Sequence, residues 1–270
     1  MKSELYRRKA DVLLDAIYPK QCICCKELID SEEELCDRCF NEIERMNPTG
    51  RCKRCGLPKS HCECMRYVYH FEECIAPFYN AGHAKRGFYD FKFKRRSHYG
   101  IFFASEMAKT VKTEYIDKSF DVIVYVPLSS VSFLHRGFNQ CKILAEHISP
   151  LVDVPVIDSV LKKKITFIPQ HKRKRNKRFE SVRNLYSVVN KESIKDKNIL
   201  LVDDIKTTGA TLDECARQLL FAGAKSICCL TALITDKKYR EIKKVKPINA
   251  RKILSRFGNK VGCNTLDNVL

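Results

Sequence analysis

Residues 199–211 read Ile-Leu-Leu-Val-Asp-Asp-Ile-Lys-Thr-Thr-Gly-Ala-Thr, an apolar run that gives way to two adjacent acids and then to a Thr/Gly-rich turn. Neighbouring carboxylates suit the paired hydroxyls of a sugar. Hydroxyls and free backbone N–H groups at the start of a helix suit a phosphate, because unsatisfied donors and the helix dipole both favour an anion. Asp203 and Asp204, followed by Thr207, Thr208, Gly209, Ala210 and Thr211, therefore point to a sugar-phosphate ligand.

A second constellation is built from cysteine pairs: Cys22-x-x-Cys25, Cys36-x-x-Cys39, Cys52-x-x-Cys55 and Cys62-x-Cys64. A CxxC turn places two thiolates on one side of a tetrahedral metal, and two such turns close a four-cysteine site. Nine of the fifteen cysteines lie between Cys22 and Cys64, and segment 20–66 has few aliphatic residues, so it needs a staple to fold. Sequential pairing gives one site from Cys22, Cys25, Cys36 and Cys39 and another from Cys52, Cys55, Cys62 and Cys64. Cys24 and His61 are alternative ligands beside them. Zinc is the expected metal, although an iron–sulfur cluster takes the same ligands. Neither site leaves a position for water, so both read as structural, with binding worth on the order of 10 kcal/mol of folding free energy.

Strands alternating with helices must position the acidic loop. Strand patterns fall at Cys74–Asn80, Phe120–Val126, Leu185–Val189, Asn198–Val202 and Ser226–Leu233. Helical spacing covers Tyr99–Ile116, Phe138–Ile148 and Leu212–Phe221. This order predicts an α/β fold, a parallel sheet flanked by helices, with ligands at the carboxyl ends of the strands. The chain divides into an amphipathic helix over 1–19, a double zinc ribbon over 20–66, the α/β domain over 74–235 and a basic tail over 236–270.

The formal net charge is +18 over 270 residues, and falls to about +14 if eight thiolates hold two Zn²⁺. Such a balance suits nucleic acid, nucleotides or phosphosugars, or simply a soluble basic surface. Residues 162–178 hold nine Lys/Arg and no acid, and residues 236–270 hold ten against three. The first segment contains Lys172, Arg173, Lys174, Arg175, Lys177 and Arg178. It reads as a lid over an anion, a nucleic-acid contact or a solvated loop. Phe167, Phe179 and Tyr186 interleave with its charges, as in single-strand binders, or belong to the core. No apolar run reaches the ~18–20 residues of a membrane helix. Arg7, Arg8, Asp11 and Asp15 interrupt the N-terminal apolar positions, unlike a signal peptide. A cytoplasmic protein without a membrane span is expected.

The 199–211 stretch resembles the phosphoribosyl pyrophosphate (PRPP) signature of type I phosphoribosyltransferases. Val126-Pro127-Leu128, Arg136-Gly137-Phe138-Asn139-Gln140, Thr166 to Gln170 and Arg178 resemble elements of the ComF (late competence) family, as do the paired cysteines. The resemblance covers roughly residues 10–235. It implies a type I phosphoribosyltransferase fold behind a small N-terminal double zinc ribbon. Asp203 and Asp204 would hold the ribose hydroxyls, and the segment Ile205, Lys206, Thr207, Thr208, Gly209, Ala210, Thr211 would wrap the 5′-phosphate. Lys206 stands where an uncharged residue is commoner. Arg136, with Gly137, would meet the pyrophosphate, and Mg²⁺ would arrive with PRPP. Asp203, Asp204 and Arg136 are the implied catalytic residues, and 162–178 occupies the lid position.

Two functions follow. One is a PRPP-binding protein of DNA uptake and natural transformation that handles single-stranded DNA and meets other uptake proteins through its ribbon. The other is a phosphoribosyltransferase enzyme of nucleobase or nucleotide metabolism with no DNA role.

Overall fold

The computed structural model describes residues 20–29, 33–62, 64–94, 96–129, 133–134, 136–164 and 175–239. The expected helix over 1–19, the Thr166–Gln170 element, Lys172, Arg173, Lys174 and the tail beyond 239 lie outside them. The chain up to Asp236 belongs to one compact unit, and residues from Lys237 to a second.

The centre of the first unit is a parallel sheet. Its order is β1 (Glu73–Ile75), β7 (Ser226–Ile234), β6 (Asn198–Lys206), β3 (Val122–Tyr125), and β2 (Phe78–Tyr79) also pairs with β7. Ile199 to Val202 on β6 and Cys228 to Ile234 on β7 are buried throughout. A strand apolar on both faces belongs inside a parallel sheet with cover on each side. The covering helices are α2 (Gly82–Phe93), α3 (Tyr99–Glu114), α4 (Gln140–Val152) and α6 (Ala210–Phe221), after a short α1 (Asp37–Glu42) in the ribbon. Helices α3 and α4 pack on each other; α3 meets β7, and α4 meets β3 and β6. Helix α6 lies on β6 and β7 and carries α5 (Arg175–Val182).

The expected α/β sheet with flanking helices and an N-terminal cysteine-rich ribbon is present, with local differences. The strand expected over Cys74–Asn80 is split into β1 and β2, because Pro77 has no N–H for the ladder. Both halves pair in parallel with β7 in one continuous register, Glu73 opposite Cys228 and Phe78 opposite Leu233. Strand β6 does not stop at Val202. It runs through both acids to Lys206, with Asp203 opposite Thr231. The basic segment 162–178 is not a single loop. Lys162 and Lys163 belong to β4 (Leu161–Lys163), antiparallel to β5 (Tyr186–Val188), and Arg175, Lys177 and Arg178 open α5. Tyr186 is a core residue at 3% exposure. Helix α4 continues past Ile148 to Val152, with Pro150 inside its last turn, and ends on Asp153 at φ 55°.

Helix α2 was not expected. Ala84, Gly87, Phe88 and Phe91 form its buried stripe at helical spacing. Gly87 lets the ribbon come close. A Cβ there would lie 3.2 Å from both the Cys24 sulfur and the Ile23 carbonyl oxygen. The ribbon is further tied to the sheet by Cys74 N–H donating to the Lys53 carbonyl at 3.0 Å and Met46 N–H to the Pro77 carbonyl at 2.8 Å.

Candidate functional site

The acidic pair sits in the second half of β6, just past the carboxyl end of β3. Asp203 is almost fully buried. Its Oδ1 accepts from the Asp204 N–H at 2.8 Å and from the Cys141 thiol at 3.4 Å. Burial, reinforced by the neighbouring Asp204 charge, pushes the Asp203 carboxyl up to about 7, and the Lys92 ammonium pulls the other way. Burial also raises the Cys141 thiol well above its ordinary range, which keeps it a protonated donor. Asn139 caps α4 by accepting from the Cys141 N–H at 3.0 Å, and that cap places the thiol. Asp204 accepts from the Ile205 N–H at 2.6 Å through Oδ1 and pairs with Lys92 Nζ through Oδ2.

The loop after the acids leads directly into α6. Gly209 takes φ 85° at its N-cap, and Ala210 N–H donates to the Thr208 hydroxyl at 3.3 Å. A Cβ on Gly209 would meet Tyr69 at 3.0 Å and the Lys206 stem at 3.2 Å, so this position requires glycine for conformation and for space. Thr207 is exposed, whereas Thr208, Gly209 and Ala210 are buried. Asp213 in the first turn of α6 is engaged by the backbone N–H of His70 at 2.6 Å and by its ring at 3.0 Å. The side chain of Lys206 runs into the interior at 2% exposure, with its ammonium 5.9 Å from the centre of the Tyr69 ring. There it faces Cys74, whose thiol burial raises to about 12 against the pull of the Lys206 charge.

Arg136 approaches from the loop after β3. It donates to the Gln140 side-chain oxygen at 3.1 Å and lies over the Phe93 ring at 5.0 Å. Gln140, fully buried, donates in turn to the Lys92 carbonyl at 3.2 Å. Lys163 on β4 is the third cation near the acids. Burial pulls its ammonium below the ordinary lysine range, while Asp203 and Asp204 hold it up. The acids and the hydroxyl loop are consecutive along β6 and into α6, and Arg136 is linked to the acids through Gln140 and Lys92. Lys163 belongs to the 162–178 segment expected at the lid position, whereas Lys92 was unannounced by the sequence, since its partner Asp204 lies far away in the chain.

The cysteines gather as two groups, Cys22, Cys25, Cys36, Cys39 and Cys52, Cys55, Cys62, Cys64, each with its sulfurs within 4.8 Å of one another. Sulfur–sulfur distances are 3.6 Å for Cys25–Cys36, 3.8 Å for Cys52–Cys64 and 3.7 Å for Cys55–Cys62. Tetrahedral Zn–S bonds of ~2.3 Å set sulfurs about 3.8 Å apart, so both groups fit zinc. Cys24 and His61 stand outside them. His61 instead pairs with the buried Asp236 at 2.6 Å. Cys141, Asp203 and Asp204 also converge, here as a hydrogen-bonded acidic site.

The chain matches the family described as "Phosphoribosyl transferase domain" over residues 106–265 and the "Double zinc ribbon domain" over residues 13–74. It is thus a phosphoribosyl transferase-domain protein with an N-terminal double zinc ribbon. Within that class it belongs to the ComF competence-protein family. It is 30% identical over 227 residues to "Competence protein ComFC" of Bacillus subtilis (strain 168), a match that covers 76% of this chain and 86% of that one. "DNA utilization protein YhgH" of Escherichia coli (strain K12) is 24% identical over 188 residues, 65% of this chain and 80% of its own. Among solved structures, a purine phosphoribosyltransferase from Pyrococcus horikoshii Ot3 is 19% identical, with a TM-score of 0.32, covering 50% of this chain and 84% of that one.

Proposed function

We propose that this protein binds PRPP at the end of β6 and acts in the cytoplasmic handling of single-stranded DNA during DNA uptake. The observation that carries the ligand is the acidic pair leading through Thr207–Thr211 into the N-terminus of α6. Ribose hydroxyls donate to Asp203 and Asp204. The phosphate sits on the Thr208–Thr211 amides and hydroxyls, where the helix dipole favours it. Arg136 and Lys163 draw the pyrophosphate, stabilising negative charge as the C1–oxygen bond lengthens. Mg²⁺ arriving with PRPP would supply further neutralisation of that charge. The side chains of 203–211 supply hard oxygen and hydroxyl groups, which suit such a ligand.

The relatives' names, competence and DNA utilization, support the DNA role. Lys172, Arg173, Lys174, Arg175, Lys177 and Arg178 carry the positive charge in the sequence that a nucleic-acid backbone would meet. Phe179 on α5 stacks on Tyr67 with ring centres 5.3 Å apart, which fixes that helix against the segment leaving the ribbon.

The test is calorimetry of Mg²⁺–PRPP with the wild type and with Asp203→Asn/Asp204→Asn. Binding by the first and not by the second is expected. Equal affinity in both would remove the site. Fluorescent single-stranded DNA titrated with the full chain tests the DNA role, and undetectable binding at low salt would leave the metabolic enzyme as the better reading.

A further inference from the structure

Helix α2 contributes to the site in a way that neither the cysteine pattern nor the acidic signature announces. Lys92, in its last turn, has an ammonium only 14% exposed and paired with Asp204, which is equally enclosed. The lysine's own carbonyl is held by Gln140, and the next residue, Phe93, carries the Arg136 guanidinium. One turn end thus touches the acidic pair with a side chain and the pyrophosphate-facing arginine with a ring. Asp204 spends Oδ1 on the Ile205 amide and Oδ2 on Lys92, so its carboxylate plane is fixed from both sides.

We propose that Lys92 is the positioning residue of the acidic pair, holding the Asp204 carboxylate from the end of α2 so that it and Asp203 face one ribose diol together. This rests on the PRPP reading. Both diol protons need carboxylate acceptors, and a proton retained between the acids removes one of them. Lys92 is also the cation whose charge draws Asp203 down against burial. Without it, Asp203 retains its proton to higher pH.

The groups facing the pair from the packed elements are Lys92 of α2, Cys141 of α4 and Lys163 of β4, with Arg136 beyond Lys163. Further in are Cys74 of β1, Tyr186 of β5, Cys215 of α6 and Cys229 of β7, all raised by burial and neutral around pH 7. Between pH 6 and 8 Asp203 is therefore the group that titrates in this cluster.

The experiment compares wild type, Lys92→Met and Lys92→Arg as zinc-loaded full chains, with calorimetry of Mg²⁺–PRPP at pH 6.0, 7.0 and 8.0. Circular dichroism establishes that each is folded. Lys92→Met is expected to lose about tenfold in affinity at pH 6.0, the equivalent of one pKa unit, and to recover most of it by pH 8.0. Lys92→Arg should follow the wild-type profile. A Lys92→Met deficit equal at all three pH values, or no deficit, would overturn the proposal while leaving PRPP binding intact. If Lys92→Met is not folded, Lys92→Gln takes its place in the same comparison: a deficit of about tenfold at pH 6.0 that closes by pH 8.0 supports the proposal, and an absent or pH-independent deficit overturns it. Failure of the wild type to bind PRPP would instead dispose of the reading beneath it.

Discussion

The phenol of Tyr69 donates to the backbone carbonyl of Thr208 at 3.1 Å, and so connects the segment leaving the zinc ribbon to the hydroxyl loop. Tyr69 also stacks on Phe71 at 4.7 Å and lies within reach of the Lys206 ammonium. Removing the hydroxyl leaves a buried carbonyl short of a donor, a cost of about 1–3 kcal/mol. Tyr69→Phe should lower the thermal midpoint accordingly and weaken PRPP binding several-fold. Differential scanning calorimetry and a PRPP titration measure the two effects.

Gly209→Ala tests the loop from inside. At φ 85° an alanine costs roughly 1–2 kcal/mol, and its Cβ also meets Tyr69 at 3.0 Å. PRPP affinity should fall with little change in secondary structure by circular dichroism. An unchanged affinity would mean that the loop amides do not hold the phosphate.

Asp203 gives the protein a pH dependence of definite sign. Burial raises its carboxyl to about 7, whereas in the unfolded chain it titrates near ~4. The native state therefore holds a proton that the unfolded chain has lost. The contribution to stability is greatest below ~4, declines as pH rises towards 7 and is level above. The thermal midpoint should fall from pH 5 to pH 7.5, with a shallower fall in Asp203→Asn. PRPP binding at pH 6.5 should release a proton, because the ribose diol needs the ionised acid. Calorimetry in two buffers of different ionisation enthalpy counts it.

Zinc removal should reach beyond the ribbon. Lys26, just after the first cysteine turn, pairs with Asp90 on α2 at 2.7 Å, and Cys24 packs on Gly87 of the same helix. Chelation or Cys39→Ser should thus raise amide exchange across residues 82–93 as well as 20–66. Hydrogen-exchange mass spectrometry shows whether the effect is confined to the ribbon.

If the basic stretch contacts DNA, replacing Lys172, Arg173 and Lys174 by Gln should lower the magnitude of the log–log salt slope of single-strand binding by about 2. A titration at several salt concentrations reads the slope. An unaltered slope would place the DNA contact elsewhere.

The β6 run, the acids and the cysteine spacings were legible because each is local: the period, the ligand spacing and the turn residues all lie within a few positions. Helix α2 was not. Its Asp90 and Lys92 look like solvent-facing residues, yet one is paired with Lys26 and the other with Asp204. Long-range ion pairs of this kind bury charges without disturbing the local pattern. Lys206 is similar. In the sequence it stands within the phosphate signature, but in the fold the side chain turns inward, towards Tyr69 and Cys74. The split of β1 from β2 could have been read from Pro77. Strand β5 was legible over Leu185–Val189, but its partner β4 was not, since a three-residue strand carries almost no periodic signal.

The sheet order has a consequence for synthesis. Strand β7 lies between β1 and β6, yet it follows both in the chain. On the ribosome, β1 and β6 emerge without the neighbour that joins them, and the ribbon can load zinc well before its supporting sheet exists. Assembly of the acidic site then waits for Ser226–Ile234 to insert, a closure over most of the chain length that slows folding and leaves apolar edges open until it occurs. Nascent chains arrested before Ile234 should hold metal while remaining unable to build the sheet.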